Sequence, residues 1–340
     1  MLKDFFAKPY SKLFIVGDNT GWSTDVDAVD LKNFATKLGV KTEIVKRMYL
    51  NLPQAVHYTS QFSLLLPIYK SRNRLSVDYY HGKPDQQESF KKCFDALLAH
   101  QDQIARVRVS NSEMENLIKG IIDPSKVMRI PLGIDLNIWR PREVSRMVLD
   151  IPEDAVVVGS FQKDGIGRGE GLEPKLIKGP DIFLATISKL KSQIPNLWVL
   201  LSGPARGYVK KGLEEMGVPY RHKFFRDASN ISTLYNMIDL YLITSREEGG
   251  PKAVLESMAM GVPLVTTAVG QAKDLVKSGE NAMMAPCEDV EKLTHLSLGV
   301  LNNRELRERI KEGGLKTAKE NSFEAQLPLW KEYLGKLVNS

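Results

Sequence analysis

The feature that most restricts this chain is its rhythm. Short apolar runs alternate with stretches of helical apolar spacing over almost the whole length. KLFIVG, KTEIV, RLSVDYY, ARVRVSNS and KVMRIP read as strands, and DVDAVDLKNFATKLG, KPDQQESFKKCFDALLAH and SEMENLIKG as helices. The segment PLGIDLNIWRPREV, Pro131 to Val144, breaks the pattern and reads as a linker. The rhythm then restarts with strands AVVVGSF, LWVLLSG, YRHKFF, DLYLITS and PLVTT and helices GPDIFLATISKLKSQ, SNISTLYNMI and PKAVLESMAM. Such alternation builds parallel sheets, because parallel neighbours need a crossover helix, and the helices then cover both faces. The near-continuous apolar run of AVVVGSF suits a strand covered on both sides. The expectation is an α/β chain of two Rossmann-like domains facing a cleft, residues 1–140 and 141–320. A final amphipathic helix, 321–340, carries Phe323, Leu327, Trp330 and Leu334 on one side and should pack back on the first domain.

Composition limits the partners. A chain of 340 residues that is 43% hydrophobic can bury two cores. No apolar run approaches the roughly 18 residues of a spanning helix, and MLKDFFAKPYSKLFIVG lacks the pattern of a secretory signal. Cys93 and Cys287 lie far apart, without metal-ligand spacing, and read as packing residues of a reduced, cytoplasmic protein. The net charge of +6 arises wholly in residues 1–142, which hold 21 Lys and Arg against 15 Asp and Glu; the remainder has 26 of each. That excess is either a solvated surface or a face for an anionic partner, such as the inner leaflet of a membrane, which the protein would touch peripherally. No interleaving of aromatic and basic residues points to nucleic acid.

The most informative stretch is SREEGGPKAVLESMAMGVP, Ser245 to Pro263. It follows strand DLYLITS, and open parallel sheets bind ligands at the carboxyl ends of their strands. Pro251 suits a first helical position, where its missing N–H costs nothing, and Gly261 and Pro263 suit the end. Gly249 and Gly250 let another molecule approach the amides of the helix start, from Gly249 through Pro251 and Lys252 to Ala253. Free amides and the helix dipole together favour phosphate. Glu248 and Glu256 do not serve phosphate; their carboxylates suit hydroxyl donors on either side of it. Taken singly, Glu248 is explained as a carboxylate favoured by the helix N-terminus, and Glu256 as a partner of Lys252 one turn earlier. Strand end, double glycine, proline and two glutamates eight apart fit a nucleotide sugar: ribose, diphosphate, sugar.

The segment EEGGPKAVLESMAMGVPLVTT resembles the E-x7-E signature of retaining glycosyltransferases of the GT-B fold, glycosyltransferase family 4, with Glu248 and Glu256 at the two glutamate positions. VMRIPLGIDLNIWRP, VVVGSFQKDG with KGPDIFLATI, and MIDLYLITSREEGG resemble other parts of that family in the same order. The likeness covers most of residues 105–335 and is specific from Asp239 to Gly270. It implies transfer of a sugar from a nucleotide-diphosphate sugar to a hydroxyl acceptor with retained anomeric configuration, with neither metal nor cofactor. The acceptor would be a glycan or a lipid-linked acceptor, in cell-surface polysaccharide or glycolipid synthesis. Glu248 would contact the donor sugar, Glu256 the ribose, and the amides the diphosphate. Lys178, in IKGPD, matches the lysine that neutralises the leaving group. The family's arginine is replaced by Ser160, and Lys163, with Arg168 behind it, is the candidate substitute. Gly17 and Asn19, in VGDNTGW, and His81, in DYYHGKP, stand where the family contacts donor or acceptor.

Two other motifs invite different readings. GIGRGEG resembles a dinucleotide fingerprint, but position 172, where a third glycine belongs, is leucine. It reads as a mobile loop able to close over phosphates. Asp25 and Asp27 form a D-x-D pair, which elsewhere holds a metal under a diphosphate, but here they follow Ser23 and Thr24 at a helix start, where acidic residues are ordinary. A sugar-nucleotide epimerase, or a binding module without catalysis, remains open because a fold does not decide a function.

Overall fold

The computed structural model describes residues 12–17, 23–45, 55–65, 74–167, 169–225 and 227–338. These form two compact units, residues 1–132 with 323–340, and residues 133–322. The expected boundary at 140/141 is displaced because the segment read as a linker is packed: Ile134 and Trp139 belong to the second core, with Leu136 and Ile138 against it.

The first unit contains β1 (Leu13–Val16), α1 (Ser23–Lys37), β2 (Thr42–Val45), β3 (Ala55–Tyr58), β4 (Arg74–Tyr79), α2 (Glu88–Ala99), β5 (Ile104–Val109), α3 (Ser112–Lys119) and β6 (Val127–Arg129). The strands form one parallel sheet in the order β2-β1-β3-β4-β5-β6. One face packs Val56, Val77, Val107 and Val109 on Cys93 and Leu97 of α2 and Met114 and Ile118 of α3.

On the opposite face, the alternating strands β3, β4 and β5 present His57, Ser76, Asp78, Arg106 and Arg108, all buried. Alternation of this kind usually means a sheet with one solvated side. Here the polar side is covered. Arg108 donates to Asp78 at 3.1 Å and to the carbonyl of Ile130 at 3.0 Å, and His57 Nδ1 lies 2.9 Å from Ser76 Oγ. The partnering is what makes burial of these charges tolerable. Strand β3 lies between β1 and β4 and was not legible in the sequence, because AVHY is short and its inward positions include a histidine.

The second unit contains β7 (Val156–Phe161), α4 (Pro180–Lys191), β8 (Leu197–Ser202), α5 (Gly207–Glu215), β9 (Tyr220–His222), α6 (Ala228–Tyr235), β10 (Leu240–Ile243), α7 (Lys252–Ala259), β11 (Leu264–Thr267), α8 (Ala272–Leu275), β12 (Met283–Ala285), α9 (Val290–Asn302) and α10 (Arg304–Glu320). Its sheet is also parallel, ordered β12-β11-β10-β7-β8-β9. The first strand of the unit therefore lies beside the fourth, and the order reverses between β7 and β10, as in a doubly wound nucleotide-binding sheet. Apolar clusters on the two faces, one around Tyr235, Leu255 and Met258 and the other around Phe183, Leu201 and Leu293, bury the sheet on both sides.

The last helix, α11 (Phe323–Val338), belongs to the first unit. Trp330, Tyr333, Leu334 and Leu337 pack with Leu13, Ile15, Leu31 and Phe34. Its aromatic residues close the polar side of the sheet: Arg108 lies over the Trp330 ring at 4.8 Å, and Tyr333 meets His57 edge-on at 6.0 Å. Among the described residues no helix is long and apolar enough to cross a membrane.

Candidate functional site

The reversal between β7 and β10 leaves a crevice at the carboxyl ends of these strands, and the candidate residues of the second unit follow from it. Past β7, the chain carries Lys163 and Lys178 before α4 begins. Past β10, it carries Ser245 to Pro251 before α7 begins. Side chains 70 residues apart in sequence are thereby joined: Lys178 Nζ lies 2.5 Å from Glu248 Oε1. The same carboxylate oxygen accepts from Ser245 Oγ at 2.9 Å.

Close backbone packing sets this pairing. Gly179, at φ +62°, follows Lys178 and lies against the end of β10; a Cβ there would fall 1.9 Å from the carbonyl oxygen of Thr244. Thr244 Oγ1 donates to the Gly179 carbonyl at 2.8 Å. Arg246 adds a clamp across the crevice. It grips Asp181, in the first turn of α4, at 2.8 and 2.7 Å, donates to the Leu176 carbonyl at 2.6 Å, and pairs with Glu288 at 2.7 Å. A two-pronged arginine–carboxylate pair fixes orientation as well as distance. Gly179→Ala, which combines a disfavoured φ with a backbone collision, is expected to destabilise the protein by about 1–3 kcal/mol. Urea unfolding of the two proteins measures this, and an unchanged midpoint would mean that the turn is not held as described.

The second glutamate has a different setting. Helix α7 starts at Lys252, with Pro251 at the cap position, one residue earlier than the first-helical place expected for it. Gly261, at φ +63°, ends it as expected. Glu256 lies one turn inside, partly buried against an aromatic group. Tyr235 donates its hydroxyl to Glu256 Oε2 at 2.9 Å. The Tyr235 ring stacks on Tyr241 at 5.1 Å and meets Phe161 edge-on at 4.9 Å. Burial pushes the Glu256 carboxyl up to about 7, with the Tyr235 hydrogen bond and the Lys252 charge opposing. A carboxyl so placed is short of donors, and hydroxyls of a ligand would supply them.

Loop residues 162–179 are docked rather than free-standing. Gly165 and Pro174 form an antiparallel bridge, and Ile166 donates to the Glu173 carbonyl at 2.9 Å. The carbonyls of Glu170 and Gly171 accept from Gly207 at 2.6 Å and Tyr208 at 2.9 Å, so the GIGRGEG segment caps the start of α5. Beneath it Arg206 is fully buried beside Asp164, at 3.1 Å, and donates to the carbonyls of Ser160, Gln162 and Ser202. An arginine thus does sit at the end of β7, but its guanidinium is consumed by the backbone. Lys163 folds back onto the Gly167 carbonyl at 2.5 Å. Arg168 lies outside the described residues, as does Asn19.

The remaining candidates belong to the first unit. Gly17 directly follows β1, and a Cβ there would meet Asp25 Oδ1 at 2.8 Å. His81 follows β4; its ring meets Phe90 edge-on at 5.2 Å, and its carbonyl accepts from Gln61 at 2.9 Å. Asp27 lies 3.0 Å from the Tyr80 hydroxyl. Sequence reasoning missed Tyr235, Arg246 and Arg206. Arg246 carried a visible signal, since it immediately precedes the paired glutamates; Tyr235, from another helix, carried none.

Comparison with known proteins places this geometry. Residues 172–317 match the model of the glycosyl transferases group 1 family. A D-inositol 3-phosphate glycosyltransferase of Mycolicibacterium paratuberculosis is 26% identical over 218 residues, covering 61% of this chain and 44% of that protein. The matched stretch thus spans less than half the length of that relative. Among solved structures, sucrose-phosphate synthase (tll1590) from Thermosynechococcus elongatus superimposes with a TM-score of 0.78 at 14% identity, covering 96% of this chain and 99% of the other. Anabaena Alr3699/HepE in complex with UDP-glucose does so at 0.75 and 16% identity, covering 95% and 99%. The fold is that of the GT-B glycosyltransferases.

Proposed function

We propose that this chain is a glycosyltransferase that moves a sugar from a nucleotide-diphosphate sugar to a hydroxyl acceptor with retention of configuration, in the manner of family 4. The observation that carries this reading is the meeting of Lys178 and Glu248 at the reversal between β7 and β10, beside the amides that open α7. A cation and helix amides suit the diphosphate, and Glu248 and Glu256 suit hydroxyls on either side. The match of residues 172–317 to the family model and the UDP-glucose held by a structural neighbour support it.

In this reading Glu256 and Tyr235 hold the ribose, and the amides from Gly249 to Ala253 take the diphosphate. Lys178 and Lys163 stabilise charge as it develops on the leaving group. The donor parts the Lys178–Glu248 pair: the lysine turns to phosphate and the glutamate to the sugar. A phosphate oxygen takes the acceptor's proton as the acceptor attacks the face the phosphate leaves, and neither metal nor cofactor is required. Gly17, Asn19 and His81 of the first unit serve the acceptor and the donor sugar. The acceptor is a glycan or lipid-linked glycan of cell-surface polysaccharide or glycolipid synthesis. The basic first unit attends an anionic cytoplasmic membrane face.

Incubation with UDP-, GDP- and ADP-hexoses, with and without a mixture of hydroxyl acceptors, tests the reaction class. The expected result is nucleoside diphosphate released together with a glycosylated product, in the presence of EDTA. Interconversion of the donor sugar without an acceptor would overturn it in favour of an epimerase.

A further inference from the structure

We propose that Gln61 is a positioning residue for His81, its side-chain amide holding the backbone that carries the imidazole, an inference that rests on the reading above of His81 as a group serving the acceptor or the donor sugar. Strand β4 outruns both of its neighbours. The register with β3 ends where Tyr58 faces Val77, and the register with β5 ends where Val109 faces Tyr79. Tyr80 and His81 therefore lie past the last paired residue on either side, and both are half-buried. Backbone groups in that position need other partners, because a buried unpaired N–H or C=O costs as much as a lost hydrogen bond. Side chains supply them. Gln61 is 1% exposed; its Nε2 donates to the His81 carbonyl at 2.9 Å, and its Oε1 accepts from the Tyr80 N–H at 3.3 Å. Asn111, just past β5, donates to the Tyr80 carbonyl at 3.4 Å while its own oxygen caps α3. Two side-chain amides thus stand in for strand neighbours and extend β4 as far as the histidine.

The imidazole is set by the same group of residues. Its ring meets Phe90 of α2 edge-on at 5.2 Å. Phe62, which follows Gln61 in the tight turn Gln61–Leu65, meets the same Phe90 ring at 6.2 Å. Gly82, next after the histidine, has φ +97°, and a Cβ there would fall 2.4 Å from the Phe90 ring. One turn of chain therefore sends Gln61 to the backbone of His81 and Phe62 to the ring that braces its imidazole. Glutamine suits the place because one amide offers both a donor for the carbonyl and an acceptor for the N–H. A group aimed in this way matters to a reaction more than to stability, since a misplacement of about 1 Å can cost about 10²-fold in rate.

Transfer rates of wild type, Gln61→Met, Gln61→Asn, His81→Ala and the two double variants test the assignment, with the UDP-, GDP- or ADP-hexose that serves as donor and a mixture of hydroxyl acceptors. Methionine keeps the length of the side chain without the amide, and asparagine keeps the amide but ends one carbon short. Should the methionine variant fail to fold, asparagine carries the comparison. With His81 present, each Gln61 variant is expected to lower kcat about tenfold and to leave the affinity for the nucleoside diphosphate unchanged. In the His81→Ala background the same substitutions should alter the rate by less than about twofold, because residues that act through one group are not additive. Losses that multiply in the double variants, or no loss with His81 present, would overturn the positioning role while leaving the transferase reading intact. His81→Ala that transfers as fast as wild type would overturn the role of His81, and this inference with it. Wild-type protein that transfers no sugar would instead overturn the transferase reading, and with it this one.

Discussion

Glu248→Gln is expected to lower the rate of sugar transfer by about 10²–10³-fold while the nucleoside diphosphate binds as tightly as before or more so. The two halves of that result have one cause. Glu248 Oε1 holds both Lys178 and Ser245 in the unliganded protein. Glutamine keeps the size of the side chain and an oxygen for Ser245, so the loop should stay folded. On the proposed reading, what goes is the negative charge beside the sugar carbon, where positive character would grow as the diphosphate leaves. Lys178, released from its partner, is then more available to phosphate. Initial rates and a diphosphate titration on the same preparation give both numbers. A parallel loss of rate and diphosphate affinity would show that Glu248 supports the binding site as a whole and has no particular role in the reaction.

Glu256→Gln has effects of opposite sign on stability and on binding. The carboxyl is held near 7 in the folded protein by burial, against about 4.3 in an unfolded chain. Between those values the folded state binds more protons than the unfolded one, so this residue's contribution makes stability fall as pH rises from about 4.5 to 7 and then level off. At pH 8 the ionised side chain is a net cost, and the neutral amide removes it. A relief of ~1 kcal/mol corresponds to about 2–4 °C in Tm at this scale of chain. The variant is therefore expected to melt higher than wild type at pH 8 and to show little difference at pH 5. On the proposed reading, ribose hydroxyls, by contrast, donate to the charged form. Losing those charge-assisted bonds should weaken the diphosphate by about 10²-fold. Melting curves at the two pH values, with and without the preferred diphosphate, measure both effects. A variant less stable at pH 8 would mean that the Tyr235–Glu256 bond outweighs the cost of burial.

What was legible in the sequence follows from where information is local. The alternation of strands and helices, and the apolar run of β7, are properties of neighbouring residues, and they led to the parallel α/β architecture. The glycine, proline and glutamates around α7 likewise lie within one short stretch. Four features were not local. Strand β3 is short and its inward His57 is partnered by Ser76 and Asp78 from β4, so no apolar period marks it. The linker read from Pro131 to Val144 contains Ile134 and Trp139, whose burial depends on a core assembled from residues far along the chain. The loop read as mobile is tied to the start of α5 through carbonyls, which any sequence would possess. The arginine sought near Ser160 arrives from Arg206, and its guanidinium is directed at the backbone.

The central claim is that the crevice between β7 and β10 holds a nucleoside diphosphate through Glu256 and the α7 amides. Titration calorimetry of the wild-type protein with UDP, GDP and ADP at pH 8, each with magnesium and with EDTA, tests it most directly. The account predicts that one of the three binds, that EDTA does not abolish binding, and that Glu256→Gln removes most of the affinity. Absence of binding by all three, or binding that Glu256→Gln leaves untouched, would contradict it.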